Sequence, residues 1–163
     1  MIEQLFHQCT KTGNPTHRFR MIRPVYEDLC VGEQAEDYQK IDTITAPSSV
    51  YALFWFLKRE TKEHVMAIHL DSKNRIICME QISIGSMNAS VVHPREVFKS
   101  ALLSSAAGII LVHNHPTGDT TPSREDIDIT TRLKDVGDLI GIRLIDHVII
   151  GNSYQSMAES GHC

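Results

Sequence analysis

The sequence of 163 residues lacks a long apolar segment, a cysteine pair and a signal peptide. No run of 18 consecutive apolar residues occurs, and the first 25 residues contain no apolar centre of the kind that directs secretion. The four cysteines, at positions 9, 30, 78 and 163, form no C-x-x-C motif, so neither a zinc ribbon nor a disulfide scaffold is indicated. We therefore expect a soluble cytoplasmic protein with reduced thiols and no membrane segment.

A cluster of basic residues is also missing. The chain has 16 Lys and Arg against 20 Asp and Glu, which gives a net charge of −4. Proteins that bind nucleic acid through its phosphates usually carry a basic face, so nonspecific binding to DNA or RNA is not expected. Internal repeats and low-complexity tracts are absent as well, and the length suits one domain with a sizeable core.

The pattern divides the chain into an N-terminal extension, residues 1–46, and a folded domain, residues 47–163. Residues 19–26 mix apolar and basic side chains and predict an edge strand, because Pro24 has no N–H to give to a neighbouring strand. Residues 32–42 are acidic and polar, as expected for a linker. The extension is therefore predicted to be partly flexible, with at most an edge strand.

Within residues 47–163 the apolar periodicity alternates between the helical and the strand type. Ser48 or Ser49 is the expected N-cap of the first helix, because apolar residues then recur at helical spacing through Leu57. The predicted elements are this helix to residues 58–60, strands at 63–70, 75–82 and 90–92, a helix from 94 to about 107, a strand at 109–115, a helix from Ser123 to Gly141, and a strand at 143–150. This order predicts an α/β domain with a mixed β-sheet flanked by about three helices.

Two histidines end the predicted strand at residues 109–115. Side chains alternate along a strand, so His113 and His115 leave it on the same face. Seven residues separate His115 from Ser123, and two separate Ser123 from Asp126, which lies in the first turn of the next helix. Two imidazole nitrogens and a carboxylate oxygen form the ligand set of a catalytic zinc site, in which a fourth position is left for water.

A zinc ion bound in this way lowers the pKa of its water from about 15.7 to about 7, which produces a nucleophile near neutral pH. Taken singly, the two histidines are explained as polar residues of a loop at the end of a strand, and Ser123 with Asp126 is explained as a helix-capping motif. The metal interpretation therefore depends on the complete spacing H-x-H-x7-S-x2-D. Such a site also needs a general base and a group that stabilises an oxyanion.

At these residues the sequence resembles the JAMM (MPN-plus) zinc hydrolases, and within them the RadC branch. The matching residues around the ligands are Asn114, Pro116, Gly118, Pro122 and Ser123, and the match continues in residues 93–96 (HPRE) and 141–151 (GIRLIDHVIIG). The resemblance covers residues 47–157. It implies a single JAB/JAMM domain with the cytidine-deaminase-like layout, a Zn2+ cofactor and a peptide or isopeptide substrate.

The sequence departs from longer RadC proteins in one respect. Those proteins carry an N-terminal helix-hairpin-helix segment associated with DNA binding, and the residues before 47 lack its glycine-rich hairpin signature. We therefore expect a short form without this segment, which disfavours a direct role in DNA repair.

The resemblance assigns Ser123 to the substrate carbonyl or oxyanion and a glutamate to proton transfer. Glu63 stands ahead of an apolar strand, where RadC-like sequences carry a glutamate and where JAMM enzymes place their catalytic acid. Glu96 is the alternative base, although its place in the first turn of a helix has a sufficient explanation in the helix dipole. In the expected mechanism, Glu63 takes a proton from the zinc-bound water, the hydroxide attacks an amide carbonyl, and Glu63 protonates the leaving amine.

Two further histidines match the family pattern. His93 is expected to cap the second helix, with a contact around the metal ligands or the substrate as the alternative. His147 is expected to be an interior or rim histidine, with a contact around the metal ligands or the substrate as the alternative.

Three functions remain open from the sequence. The leading one is a zinc-dependent hydrolase, a metallopeptidase or isopeptidase with a peptide or protein substrate. The second is a metal-dependent nuclease or DNA-repair-associated protein, which needs a basic groove that Arg95, Lys99 and Arg124 would begin to supply. The third is a non-catalytic binding module of the same fold, against which the complete ligand set argues.

Overall fold

A computed structural model describes residues 25–27, 41–85 and 92–163. The predicted edge strand at 19–26 and the linker at 32–42 lie mostly outside this part of the chain, and residues 25–27 belong to no helix or strand. The division at residue 47 therefore stays a prediction. Ile44 is already buried in the core, and Thr43 forms an isolated bridge with Arg75.

While the predicted strand at 90–92 lies mostly outside the described residues, the described elements follow the α/β order expected from the periodicity. They are α1 (Pro47–Phe54), a 3₁₀ helix (Trp55–Arg59), β1 (His64–Leu70), β2 (Ile76–Ile84), α2 (Pro94–Leu103), β3 (Gly108–Asn114), α3 (Arg124–Ile140), β4 (Arg143–Ile150) and β5 (Tyr154–Ser156). Within the described ranges, every helix is too short or too polar to cross a lipid bilayer.

The strands form one mixed sheet in the order β2-β1-β3-β4-β5. β3 pairs antiparallel with β1 and parallel with β4, while β2 and β5 add antiparallel strands at the two sides. Parallel neighbours need a crossover, and α3 provides it between β3 and β4. Every residue of β3 is buried, as expected for a central strand with both faces covered.

Two apolar clusters lie on opposite faces of this sheet. One joins Ile109 and Leu111 of β3 to α2 and α3, and the other joins Ile110 and Val112 of β3 to α1. The alternation of side chains along β3 therefore divides the core into two layers. In its described residues the domain is an α/β fold with three α-helices around a five-stranded mixed sheet, in agreement with the sequence prediction.

Several details differ from the sequence prediction. Neither serine caps α1, because Pro47 occupies the first helical turn and Ala46 becomes the N-cap, without a side-chain hydrogen bond. The helix continues to Arg59 only as a 3₁₀ helix. α2 ends at Leu103, earlier than expected, and β5 was not predicted, since three residues are too few to show a period.

Gly137 allows α3 to pack closely on the start of β4. A Cβ at this position would lie 2.5 Å from the Ile142 carbonyl oxygen and 3.3 Å from Cζ of Phe98. Alanine gains about 1 kcal/mol of helix propensity over glycine, but this contact forces backbone to move. We expect Gly137→Ala to lower the free energy of unfolding by about 1–3 kcal/mol, measured by urea denaturation in the presence of a chelator.

Asp135→Ala is the matched control, because Asp135 lies in the same helix and is exposed. It should change the free energy of unfolding by less than about 0.5 kcal/mol. A Gly137→Ala variant as stable as the wild type would show that α3 and β4 do not constrain each other through this contact.

Candidate metal centre

β3 carries His113 to the end of the sheet, where it lies between Val65 of β1 and Ile149 of β4. His115 lies one residue beyond the strand, and its N–H still donates to the Ile150 carbonyl at 2.9 Å. The segment is thus held against β4 as far as the second histidine. The Nε2 atoms of the two imidazoles lie 3.0 Å apart, so both side chains are on the same face of the chain, as predicted.

Asp126 is fixed in the first turn of α3 by a reciprocal capping box. Ser123 Oγ accepts a hydrogen bond from the Asp126 N–H at 3.1 Å, and the Asp126 carboxylate accepts one from the Ser123 N–H at 2.7 Å. This cap directs the carboxylate at the histidines: Oδ1 lies 3.2 Å from His113 Nε2, and Oδ2 lies 3.4 Å from His115 Nε2. The S-x2-D spacing therefore serves both as a helix cap and as the source of the third ligand atom.

The three side chains form the one group in the described part of the chain that can hold a metal ion, with ligand atoms within 4.8 Å of one another. His113 and Asp126 are buried, while the side chain of His115 is 16% exposed, so the group opens to solvent beside His115. The Asp119 carbonyl lies 2.7 Å from His115 Nδ1 and can only accept, so Nδ1 carries the proton and Nε2 presents its lone pair. This donor set fits a divalent metal ion.

The electrostatics of the group favour a cation. Burial alone would raise the pKa of Asp126, but the adjacent imidazoles of His113 and His115 and the hydrogen bond from Ser123 outweigh this effect and hold the pKa well below its usual range. The pKa of His115 is raised, chiefly by the hydrogen bond with Asp126 against the effect of partial burial. An ionised carboxylate therefore lies between the two imidazoles at ordinary pH.

Glu63 is the half-buried residue directly ahead of β1. Its negative charge contributes to the raised pKa of His115, so its carboxylate lies within electrostatic range of the group. Asn114 fixes this segment, because its Oδ1 accepts from the His64 N–H at 2.7 Å and its Nδ2 donates to the Lys62 carbonyl at 3.0 Å. The residue between the two histidines therefore positions both chain neighbours of Glu63.

Glu96, the alternative base, makes other contacts. Its carboxylate accepts hydrogen bonds from Lys99 Nζ at 2.8 Å and from Arg95 Nε at 3.0 Å, and these bonds lower its pKa. His93 caps α2 as predicted, since its Nδ1 accepts from the Arg95 N–H at 3.1 Å. Arg95 and Lys99, which a nuclease groove would use, are thus paired with a carboxylate.

Two buried residues around His113 were weakly indicated by the sequence or missed. His147 is an interior histidine, as expected, and its Nε2 lies 2.7 Å from His113 Nδ1. Burial holds the pKa of His147 well below its usual value. Thr130 was not predicted, although its Oγ lies 2.6 Å from His147 Nδ1. Its position four residues after Asp126 is the signal that would have found it, because residues at i and i+4 share a helix face.

The loop between β3 and α3 packs against the turn between β4 and β5. The Asn152 N–H donates to the Gly118 carbonyl at 2.9 Å, and a Cβ on Gly151 would come within 2.4 Å of that carbonyl oxygen. Gly118 itself has a φ of 81°, which favours glycine. These contacts hold the loop so that the Asp119 carbonyl meets His115.

Comparison with known proteins shows the family of this chain. The model of the family described as RadC-like JAB domain matches residues 44–162. A UPF0758 protein from Geotalea uraniireducens is 54% identical over 129 residues, which cover 78% of this chain and 57% of that protein. A UPF0758 protein from Methanococcoides burtonii is 54% identical over 121 residues, covering 73% of this chain and 53% of that protein. The chain thus spans about half the length of the curated relatives it matches, and their printed name states no activity.

The cluster predicts how metal content responds to substitution. We expect about one metal ion per chain in protein purified without chelator, and loss of that metal in both His113→Ala and Asp126→Ala, because either change leaves only two ligands. Plasma mass spectrometry measures the stoichiometry and identifies the element. His93→Ala is the matched control, since His93 is exposed and caps α2, and it should retain the metal. Undiminished metal in either ligand variant would contradict this assignment.

Proposed function

Because the chain belongs to the RadC-like JAB domain family, we propose that it is a zinc-dependent hydrolase that cleaves peptide or isopeptide bonds. The observation that carries the proposal is the convergence of His113, His115 and Asp126 at the end of the central strand β3, in a group that opens to solvent beside His115 and feels the charge of Glu63. Structural zinc sites are closed by four protein ligands, whereas three ligands with one open side are typical of catalytic sites.

His113, His115 and Asp126 would hold the metal. A bound zinc ion supplies a Lewis acid that lowers the pKa of a water molecule and polarises a carbonyl group. The other chemical tasks fall to side chains of this chain. They are the movement of one proton from the water to the leaving amine and the stabilisation of charge on the carbonyl oxygen.

Glu63 is the proposed general base and acid. Asn114 clamps the backbone on both sides of Glu63, and the charge of Glu63 acts on His115, the partly exposed member of the group. The Glu63 carboxylate accepts the proton that the attacking water loses and returns it to the nitrogen of the broken amide bond. Amide hydrolysis requires this return, because without the proton the nitrogen would have to leave as an amide anion, which is a very poor leaving group.

Ser123 is the proposed partner of the carbonyl oxygen. Its side chain is exposed, and in the structure its hydroxyl donates to Asp126 Oδ2 at 2.7 Å. Since the Ser123 N–H donates to the same oxygen at 2.7 Å, the hydroxyl can turn to a substrate while Asp126 stays anchored. Capping and oxyanion stabilisation are therefore compatible at this residue.

Replacing the proposed base tests this function. Glu63→Gln keeps the size of the side chain but cannot accept the proton, so we expect kcat on a cleaved peptide or isopeptide to fall by about 10²–10⁴-fold with metal content unchanged. Glu60→Gln and Glu96→Gln are the matched controls. Activity that depends on Glu96 and not on Glu63 would transfer the role to Glu96, and cleavage of an oligonucleotide panel instead of peptides would replace the proposed substrate class.

The clamp on Glu63 makes a separate prediction. Asn114→Ala removes both hydrogen bonds to the chain around Glu63, and a misplacement of about 1 Å in a catalytic group costs as much as 100-fold in rate. We expect kcat to fall towards that extent while KM changes little and metal content stays at the wild-type level. Steady-state kinetics beside metal analysis separates these effects. A full loss of metal would show that Asn114 acts on the histidines and not on Glu63.

A further inference from the structure

A buried row of hydrogen bonds leads from the ligand His113 into helix α3. His113 Nδ1 lies 2.7 Å from His147 Nε2, and His147 Nδ1 lies 2.6 Å from Thr130 Oγ. Thr130 Oγ in turn donates to the Asp126 carbonyl at 2.6 Å. His113, His147 and Thr130 are all completely buried, so each ring nitrogen and hydroxyl in the row depends on its protein neighbour for a partner.

The last group in this row sets the direction of the bonds. A backbone carbonyl can only accept, so the single hydroxyl proton of Thr130 points to Asp126 O, and Thr130 Oγ is left to accept from His147. His147 then carries its proton on Nδ1 and presents the Nε2 lone pair to His113. Complete burial disfavours a second proton on this ring.

The direction continues to the metal ligand. His113 Nδ1 faces the lone pair of His147, so it donates and must carry the proton of the His113 ring. The lone pair of His113 is then on Nε2, the atom that faces Asp126 and His115. The opposite tautomer would direct an N–H at the metal position and prevent coordination through this atom.

The other histidine ligand has the same arrangement in a shorter form. His115 Nδ1 lies directly against the Asp119 carbonyl. The proton on Nδ1 of each histidine is therefore fixed by a backbone carbonyl. For His115 the carbonyl accepts directly, and for His113 it acts through the side chains of His147 and Thr130. For His113 the carbonyl belongs to Asp126, which also supplies the third ligand, so the position of α3 sets two ligands together.

We propose that Thr130 and His147 are positioning residues that hold His113 in the tautomer and orientation required for metal binding. The proposal rests on the proposed function, because it assumes that the cluster binds a metal. It assigns to Thr130 a role in metal affinity, although, within the described residues, the hydroxyl of Thr130 bonds only to the Asp126 backbone carbonyl and to His147 and not to the side chain of a ligand.

Thr130→Val tests the proposal, because valine fills the same volume without the hydroxyl. His147 Nδ1–H then has no acceptor, so the tautomer of His147 with its proton on Nε2 becomes the more stable one. That proton is donated to His113 Nδ1, and the His113 ring must then carry its own proton on Nε2, the wrong atom for metal binding. We expect zinc affinity, measured by competition with a chromophoric chelator, to fall by about 10–100-fold. Thr130→Ser restores the hydroxyl and should restore most of the affinity.

Thr131→Val is the matched control. Thr131 makes the same kind of bond, from its Oγ to the Ile127 carbonyl at 3.0 Å, on the exposed side of the same helix. It should bind zinc as the wild type does. Thermal unfolding in chelator accompanies each variant, so that a general loss of folding is separated from a loss of metal affinity.

A spectroscopic measurement reads the tautomers directly. In zinc-loaded wild type with ring-15N histidine, long-range proton–nitrogen spectra should show His147 and His113 both protonated on Nδ1. Protonation of His147 on Nε2 in the wild type would overturn the proposal, as would unchanged zinc affinity in Thr130→Val. If the wild type binds no zinc, the proposed function itself fails, whereas wild-type binding with an unaffected Thr130→Val variant removes only the role of the row.

Discussion

The buried carboxylate of Asp126 is the constraint on which the rest of the site depends. An ionised carboxylate loses its hydration when it is buried, and a protein offsets this cost only with several donors or a cation. Here the N–H and hydroxyl of Ser123 donate from the N-cap of α3, and the Nε2 atoms of the two histidines lie beside the carboxylate, in a group that can hold a cation. The start of the helix and the ligand group are therefore one structure, and the helix cannot shift along its axis without disturbing the metal ligands.

Strand β3 supplies the second half of this arrangement through its two faces. His113 lies on the face covered by α2 and α3, and Asn114 lies on the other, where its side chain holds the segment around Glu63. Of these two adjacent residues, His113 is a candidate metal ligand and Asn114 holds the chain around the proposed base. The proximity of these groups follows from the alternation of side chains along one strand and from the pairing of β1 beside it.

The residues of the proposed chemistry all lie within residues 44–162, the part that matches the RadC-like JAB domain. The curated relatives are longer proteins of which this chain spans about half. The candidate ligand group and the residues proposed as base and oxyanion partner therefore all lie in the region that the family shares. Substrate selection is a separate matter, because the surface beside His115 and Ser123 is open and exposed.

The sequence by itself determined the order of most helices and strands, the caps at His93 and Ser123, the stop of α3 at Gly141 and the group His113, His115 and Asp126. These features depend on residues within about one helical turn or one loop of each other, so spacing alone reveals them. The 3₁₀ end of the first helix, β5, the Asn114 clamp and the row through His147 and Thr130 were decided by the tertiary structure. The Asn114 clamp and the row join residues up to 52 positions apart, and which of these residues meet depends on the pairing of β3 with β1 and β4, which no local pattern specifies.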